Sequence, residues 1–271
     1  MRLTGSAAFS LGQPSDRQRS IQALRTAVNL GVNHIDTASF YFSSLRSANE
    51  LINRALAPYP PDLLLATKVG PARDSAGQWL PPAAPAQLRG QVEENLRQLG
   101  LDHLDLVYLR VQSRDPVIEH VQALNELSQA GLIRHVGLSG VTVEQVEQAL
   151  EITPIVSVQN RFGLGSEAAK DRTVMDFCGA HGIAFVPFFA IAGKGADRGA
   201  RPEEAEHVHE VAQRHDASPA QVRLAWTLHQ GQHVLAIPGS GNPEHVRANA
   251  AAAALRLTEQ DLKTLNNVNV A

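Results

Sequence analysis

The chain has 271 residues, 44% of them apolar, a formal net charge of −3 and one cysteine, Cys178. That length supports a large buried core, and α/β barrels of about 250 residues fold as one domain. An internal disulfide and a multi-cysteine zinc site are excluded, no run of like charge offers a nucleic-acid arm, and no apolar stretch approaches the roughly 18 residues that span a bilayer. The opening shows no charged-then-apolar leader, so a cytoplasmic protein is expected.

The predicted elements alternate. Ile21, Leu24 and Val28 recur at helical spacing between Arg17 and Leu30, with Ser15 or Asp16 as N-cap and Gly31 as stop. Val32 to Thr37 reads as a strand. Ser47 and Glu50 form a capping box for a helix to Leu56. Leu63 to Thr67 is a short apolar run, as in a strand buried on both faces. Pro71 to Pro85 is a long loop, and Leu88, Val92, Leu96 and Leu99 form the next helical stripe, ended by Gly100. Leu104 to Leu109 is a strand. A helix over Ile118 to Leu127 stops at Gly131, Ile133 to Leu138 is a strand, and Thr142 with Gln145 caps a helix through Leu150. Strands follow at Ile155 to Gln159, Ile183 to Phe188 and Val234 to Ile237. Helices are expected near Ala168 to Ala180, Pro219 to Leu228, Pro243 to Leu255 and Glu259 to Asn266. Repeated strand–helix units of about 30 residues predict a parallel sheet with helices outside. No G-x-G-x-x-G follows an early strand, which argues against a Rossmann fold. The expectation is one domain over 1–271, a (β/α)8 TIM barrel whose eighth strand would have to be Met1 to Leu3.

In such barrels chemistry gathers at the C-terminal ends of the strands. The polar residues there are Asp36, Lys68, Arg110, Ser139, Gln159 and Ser240, with Tyr41 in the loop after Asp36. Arginine outnumbers lysine 20 to 4, which directs attention to Lys68 and to Lys194 in a Gly-rich loop. A tyrosine has an unperturbed pKa of about 10. A nearby ammonium lowers it, and Asp36 could hold that ammonium in place. The unit suits general acid catalysis on a carbonyl oxygen. The competing reading is structural: Asp36 as a loop brace, Tyr41 as a packing aromatic. Lys68 fits that reading least, because a charge ending a buried strand needs a partner.

At these residues the chain resembles the aldo-keto reductase superfamily. The stretches are Gly31-Val32-Asn33-His34-Ile35-Asp36-Thr37-Ala38, Tyr41, Asn49-Glu50-Leu51-Ile52, Ala66-Thr67-Lys68-Val69-Gly70, Leu101 to Leu106, Gly131 to Arg134, Gly137-Leu138-Ser139, Val158-Gln159-Asn160 and Ile237-Pro238-Gly239-Ser240. Val186-Pro187-Phe188-Phe189 looks like the bacterial pyridoxal-reductase-like branch. The resemblance implies NADPH-dependent reduction of a small-molecule aldehyde or ketone without a metal. It implies a catalytic group of Asp36, Tyr41, Lys68 and, where the family usually has His, Arg110. An Arg donates several fixed hydrogen bonds but cannot shuttle a proton. Ser139 and Gln159 match residues that bind the nicotinamide carboxamide, Phe188 one that stacks on its ring, and Ser240, His245 and Asn249 the adenosine-phosphate region. Arg247 is a candidate for a 2′-phosphate.

The chain departs from the family pattern at Gly140, where Asn usually follows the serine, at Gly239, where Lys is frequent, and at Phe42, which could narrow the pocket. Its opening looks like entry halfway through the family's first strand, so either the true start lies upstream or the first strand is truncated and the barrel imperfectly closed. Trp79 is a candidate substrate-pocket residue, with a loop anchor as the alternative. His34 and Asp36 also form H-x-D, as a metallohydrolase barrel would require, but the other ligands are wanting; the only H-x-H, His207 and His209, lies in a polar, helical-looking stretch. The alternative to an enzyme is a weakly active or inactive NADP(H)-binding barrel that works as a sensor or partner subunit. Pyridoxal is the first expected substrate. The oligomeric state is open.

Overall fold

A computed structural model describes residues 3–4, 14–164, 169–191 and 202–266. The chain divides into two compact units, Met1–Val158 with Gly239–Arg247, and Gln159–Pro238 with Ala248–Ala271.

In the first unit, strands β1 (His34–Asp36), β2 (Leu64–Val69), β3 (Leu104–Arg110), β4 (Ile133–Ser139) and β5 (Ile155–Gln159, whose last residue opens the second unit) lie side by side in chain order. The pairs β1–β2, β2–β3 and β3–β4 are parallel. Helix α1 (Arg17–Asn29) precedes β1, and α2 (Ala48–Leu56), α3 (Leu88–Leu99), α4 (Ile118–Gln129) and α5 (Val143–Leu150) connect the successive strands. Apolar faces explain the packing: Leu51, Ile52, Leu65, Leu88, Leu99, Leu104, Leu124 and Ile133 are fully buried. Asp16 caps α1 by accepting from Arg19 N at 2.6 Å, and Thr142 and Gln145 form the expected capping box.

Several expectations are corrected. Ser47 caps α2 through Asn49 N, while Glu50 turns away to pair with Arg17 at 2.6 Å, so no capping box forms there. β1 is shorter than predicted because Val32 N closes α1 on Ala27 O. Leu3 and Thr4 form a turn, with Leu3 buried and its carbonyl accepting from Ser20 Oγ at 2.8 Å; Met1 and Arg2 of the expected strand lie outside the described residues.

A buried polar chain ties this unit together. Thr37 Oγ1 donates to Asn49 Oδ1 (2.8 Å), Asn49 Nδ2 to Asn95 Oδ1 (3.0 Å), Thr67 Oγ1 to the same oxygen (2.6 Å), and Asn95 Nδ2 to Gln91 O (2.8 Å). It joins β1, β2, α2 and α3, and two of its members directly follow Asp36 and precede Lys68.

The second unit holds α6 (Ala169–Ala180), β6 (Ala184–Phe185), α7 (Pro202–Arg214), α8 (Pro219–Leu228) and α10 (Glu259–Asn266); α9 (Pro243–Ala251) begins in the first unit and ends in the second. The strands expected at Ile183 to Phe188 and Val234 to Ile237 shrink to β6 and isolated bridges, Phe185 with Val234 and Arg161 with Phe188. Pro187 and Pro238 have no N–H to donate to a ladder. Phe162 stacks on Trp226 at 5.7 Å and meets Phe185 edge-on at 6.1 Å, forming the aromatic core. The stretch around His207 and His209 is α7. Lys194 lies outside the described residues. Among those residues no helix is long and apolar enough to cross a membrane.

Candidate active site

Strand register explains how distant residues share one site. Asp36 is level with Ala66, so Lys68 stands two residues further along β2; Lys68 is level with Tyr108, so Arg110 stands two further along β3; Arg110 is level with Ser139. Side chains alternate faces with a period of two. Steps of two and zero therefore keep Asp36, Lys68, Arg110 and Ser139 on the same face, at the C-terminal strand ends.

Lys68 is the hub. It is 6% exposed, and its ammonium donates to the Asp36 carboxylate and to Thr37 O at 3.0 Å. Its Nζ also lies 5.3 Å from the centroid of the Tyr41 ring. Burial alone would lower the Lys68 pKa, but Asp36 and Tyr41 outweigh it and hold the pKa above the ordinary value. The ammonium is thus held in its charged form.

Tyr41 lies outside any helix or strand. Its N–H donates to Ala38 O at 3.1 Å and its carbonyl accepts from Ala48 N at 2.8 Å. The expected lowering of its pKa is corrected in sign. Burial raises it, and although Lys68 and Arg110 pull the other way, the net direction is upward. Without a bound partner the phenol therefore keeps its proton at neutral pH, as a proton donor should.

Arg110 donates from Nη1 to Ser139 Oγ at 3.2 Å. Burial lowers its pKa, partly offset by Tyr41, and it remains a cation at neutral pH. Gly140 accounts for its placement. A Cβ at Gly140 would stand 2.5 Å from Arg110 Nη1 and 2.8 Å from Val111 O, and the backbone there has φ +76°. The two departures from the family pattern, Arg110 and Gly140, form one physical unit: the missing side chain makes room for the guanidinium.

The remaining candidates fall into separate groups. Phe40 lies edge-on between Tyr41 (5.0 Å) and Trp79 (5.6 Å), and Trp79 is 44% exposed. Phe42 turns toward Arg73, whose Cζ lies 4.5 Å from its ring centroid. Together with Phe40, Leu80, Gln91 and Glu94 these two residues line a cleft of about 720 Å³ that excludes Asp36, Tyr41, Lys68 and Arg110. In the second unit Gln159 is fully buried, and Phe188 is joined by its N–H to Asn160 O at 3.0 Å and stands edge-on to Phe189 at 5.4 Å. Ser240 Oγ accepts from Asn242 N at 3.1 Å just before α9, which carries His245, Arg247 and Asn249. Arg247 is exposed and lies 3.7 Å from Glu244. His34 shares the face of Asp36. Burial lowers its pKa, against Asp36 and with Lys68, leaving a neutral imidazole. Among the described residues no group of three or more His, Cys, Asp or Glu could hold a metal ion. Cys178 is buried, and burial pushes its thiol up to about 12. Sequence reasoning missed Arg73 and the Thr37–Asn49–Asn95–Thr67 chain, because their partners are backbone carbonyls or residues far away in sequence.

The family model described as the Aldo/keto reductase family matches residues 3–270, and the chain belongs to that family. It is 41% identical over 276 residues to pyridoxine 4-dehydrogenase of Escherichia coli, covering 99% of this chain and 92% of that protein. It is 34% identical to an uncharacterized oxidoreductase of Schizosaccharomyces pombe, covering 96% and 81%. Among solved structures, an aldo/keto reductase from Klebsiella pneumoniae in complex with NADP and acetate superposes with a TM-score of 0.77 at 28% identity, covering 93% of this chain and 86% of that one.

Proposed function

We propose that the protein reduces an aldehyde or ketone to the alcohol with NADPH, that pyridoxal is its substrate and pyridoxine the product, and that the whole chain forms one (β/α)8 domain in the cytoplasm. The observation that carries the activity is the Lys68 ammonium, held by Asp36 and Thr37 O beside the Tyr41 ring, 5.3 Å from its centroid.

The residues present suit NADP(H). Ser139 in the first unit and Gln159 in the second are each buried polar groups at a strand end, of the kind that hydrogen-bonds a carboxamide. Phe188 offers a partly exposed aromatic ring. At the start of α9, Pro243 has no N–H and Glu244 N is held by Asn242 Oδ1 at 3.2 Å, so the phosphate reading rests on the Ser240 and His245 side chains, with Arg247 exposed on the same helix for a 2′-phosphate. Equal Michaelis constants for NADPH and NADH would argue against that last assignment.

When bound, the reduced nicotinamide supplies two electrons and a hydrogen to the carbonyl carbon. This chain's own residues manage the oxygen. Tyr41 gives it the proton, Lys68 stabilises the phenolate left behind, and Asp36 keeps Lys68 oriented and charged. Arg110 adds positive charge beside the developing alkoxide. A phenolate-bearing aldehyde such as pyridoxal suits a site with a second cation, and the pyridoxine 4-dehydrogenase relative supports that substrate. A cofactor-binding barrel without turnover is the weaker reading, because donor, cation and carboxylate are already assembled.

The test follows NADPH consumption with pyridoxal and a panel of aldehydes. Tyr41→Phe is expected to lower kcat by about 10²- to 10⁴-fold, the usual range for a general acid, while NADPH binding persists. Undiminished turnover in that variant would remove Tyr41 from its role.

A further inference from the structure

We propose that Arg73 is a positioning residue for the proton donor, its guanidinium clamping the two carbonyls that bracket Tyr41. The proposal rests on the reading of Tyr41 given above. Arg73 Nη1 donates to Phe40 O at 3.1 Å and to Phe42 O at 3.3 Å, the carbonyls immediately before and after Tyr41. Its Nε donates to Gly77 O at 3.0 Å, which fastens the guanidinium to its own loop. That loop is closed by the Arg73–Trp79 bridge and by the Asp74 to Gln78 turn, with Gln78 N donating to Asp74 Oδ1 at 2.9 Å.

The energetics call for an explanation beyond stability. Arg73 is 8% exposed and makes no ion pair among the described residues, and burial lowers its pKa. The Asp74 charge offsets only part of that burial, and a buried cation held by no ion pair is costly. What it has instead are directed carbonyls and two aromatic faces, Phe42 at 4.5 Å and Trp79 at 5.8 Å from Cζ. Only a planar fork can serve Phe40, Phe42 and Gly77 together; a lysine ammonium on its flexible stem cannot. The need is local. Tyr41 belongs to no regular element, and a reacting group displaced by about 1 Å can lose 10²-fold in rate.

The experiment compares Arg73→Gln and Arg73→Lys in the wild-type and Tyr41→Phe backgrounds. It measures kcat and KM with pyridoxal, NADPH affinity by cofactor fluorescence, and the tyrosinate absorbance titration, in which the component lost in Tyr41→Phe belongs to Tyr41. In the wild-type background Arg73→Gln is expected to lower kcat by about 10- to 100-fold and to leave NADPH affinity within about twofold. Arg73→Lys should recover part of the loss. The Tyr41 titration should move from its raised position toward the ordinary value. In the Tyr41→Phe background the same substitution should change residual turnover by less than about twofold, since the group being positioned is gone. Equal losses in both backgrounds would overturn the clamp and leave a general structural brace. Unchanged kcat in Arg73→Gln beside a crippled Tyr41→Phe would overturn the clamp alone. Full activity in Tyr41→Phe would overturn both readings. If Arg73→Gln does not fold, Arg73→Lys in the two backgrounds carries the same comparison.

Discussion

Gly140 and Arg110 constrain each other at the scale of single residues. Any side chain at Gly140 meets the Arg110 guanidinium, so installing the family's usual asparagine alone should displace the arginine. Asparagine tolerates the left-handed backbone better than most residues, which separates the collision from strain. Gly140→Asn is expected to reduce kcat/KM about tenfold, and Gly140→Asn with Arg110→His to recover the part due to the guanidinium but not the part due to Val111 O, which a Cβ still meets at 2.8 Å, a coupling within the 0.5 to 3 kcal/mol typical of touching residues. Strict additivity in that double-mutant cycle would show the two positions to be independent. The raised Tyr41 pKa has its own consequence. Because the donor is protonated below that value, reduction should persist through neutral pH and fail only in the alkaline range, as a pH profile of kcat would reveal.

At the scale of elements, the clearest anchor outside the site joins the end of α7 to the start of α10. The buried Asp261 carboxylate accepts from Arg214 Nη2 (2.8 Å), from Thr258 N (2.8 Å) and from Thr258 Oγ1 (2.7 Å), and it pairs with His215 Nε2 at 2.7 Å. Burial alone would raise the Asp261 pKa, but these partners outweigh it and hold it far below the carboxylate range. A depressed folded-state pKa contributes stability above the unfolded value of about 4, and that contribution fades as pH falls toward the folded value. Asp261→Asn should therefore cost about 2 kcal/mol at pH 7, with the difference from wild type narrowing in acid. Thermal melts at neutral and low pH measure both.

Helices were far more legible than strands at this scale. Pro219–Leu228 and Glu259–Asn266 form as predicted, because capping residues and apolar spacing act within a turn or two. Strand ends depend on the neighbour that supplies the ladder. Val32 left its expected strand to close α1, and Val234 kept a single bridge.

For the molecule as a whole, cofactor binding offers a direct check. A ligand that binds only the folded chain stabilises it by mass action, by about 2.7 kcal/mol at one hundred times its dissociation constant. NADPH should raise the melting temperature accordingly, and NADH at the same concentration should raise it less if Arg247 reads a 2′-phosphate. Equal shifts would remove that role from Arg247.

Sequence alone pointed to most of the alternation of strands and helices, to Asp36, Tyr41, Lys68 and Arg110 as candidates at or after strand ends, and to the family. Each of these follows from local periodicity or from residues kept at fixed spacing. Tertiary structure alone decided the sign of the Tyr41 shift, the fit of Arg110 into the space left by Gly140, and the hold of Arg73 on the carbonyls around Tyr41. Desolvation and close contact depend on which distant atoms surround a group, and no spacing along the chain records that.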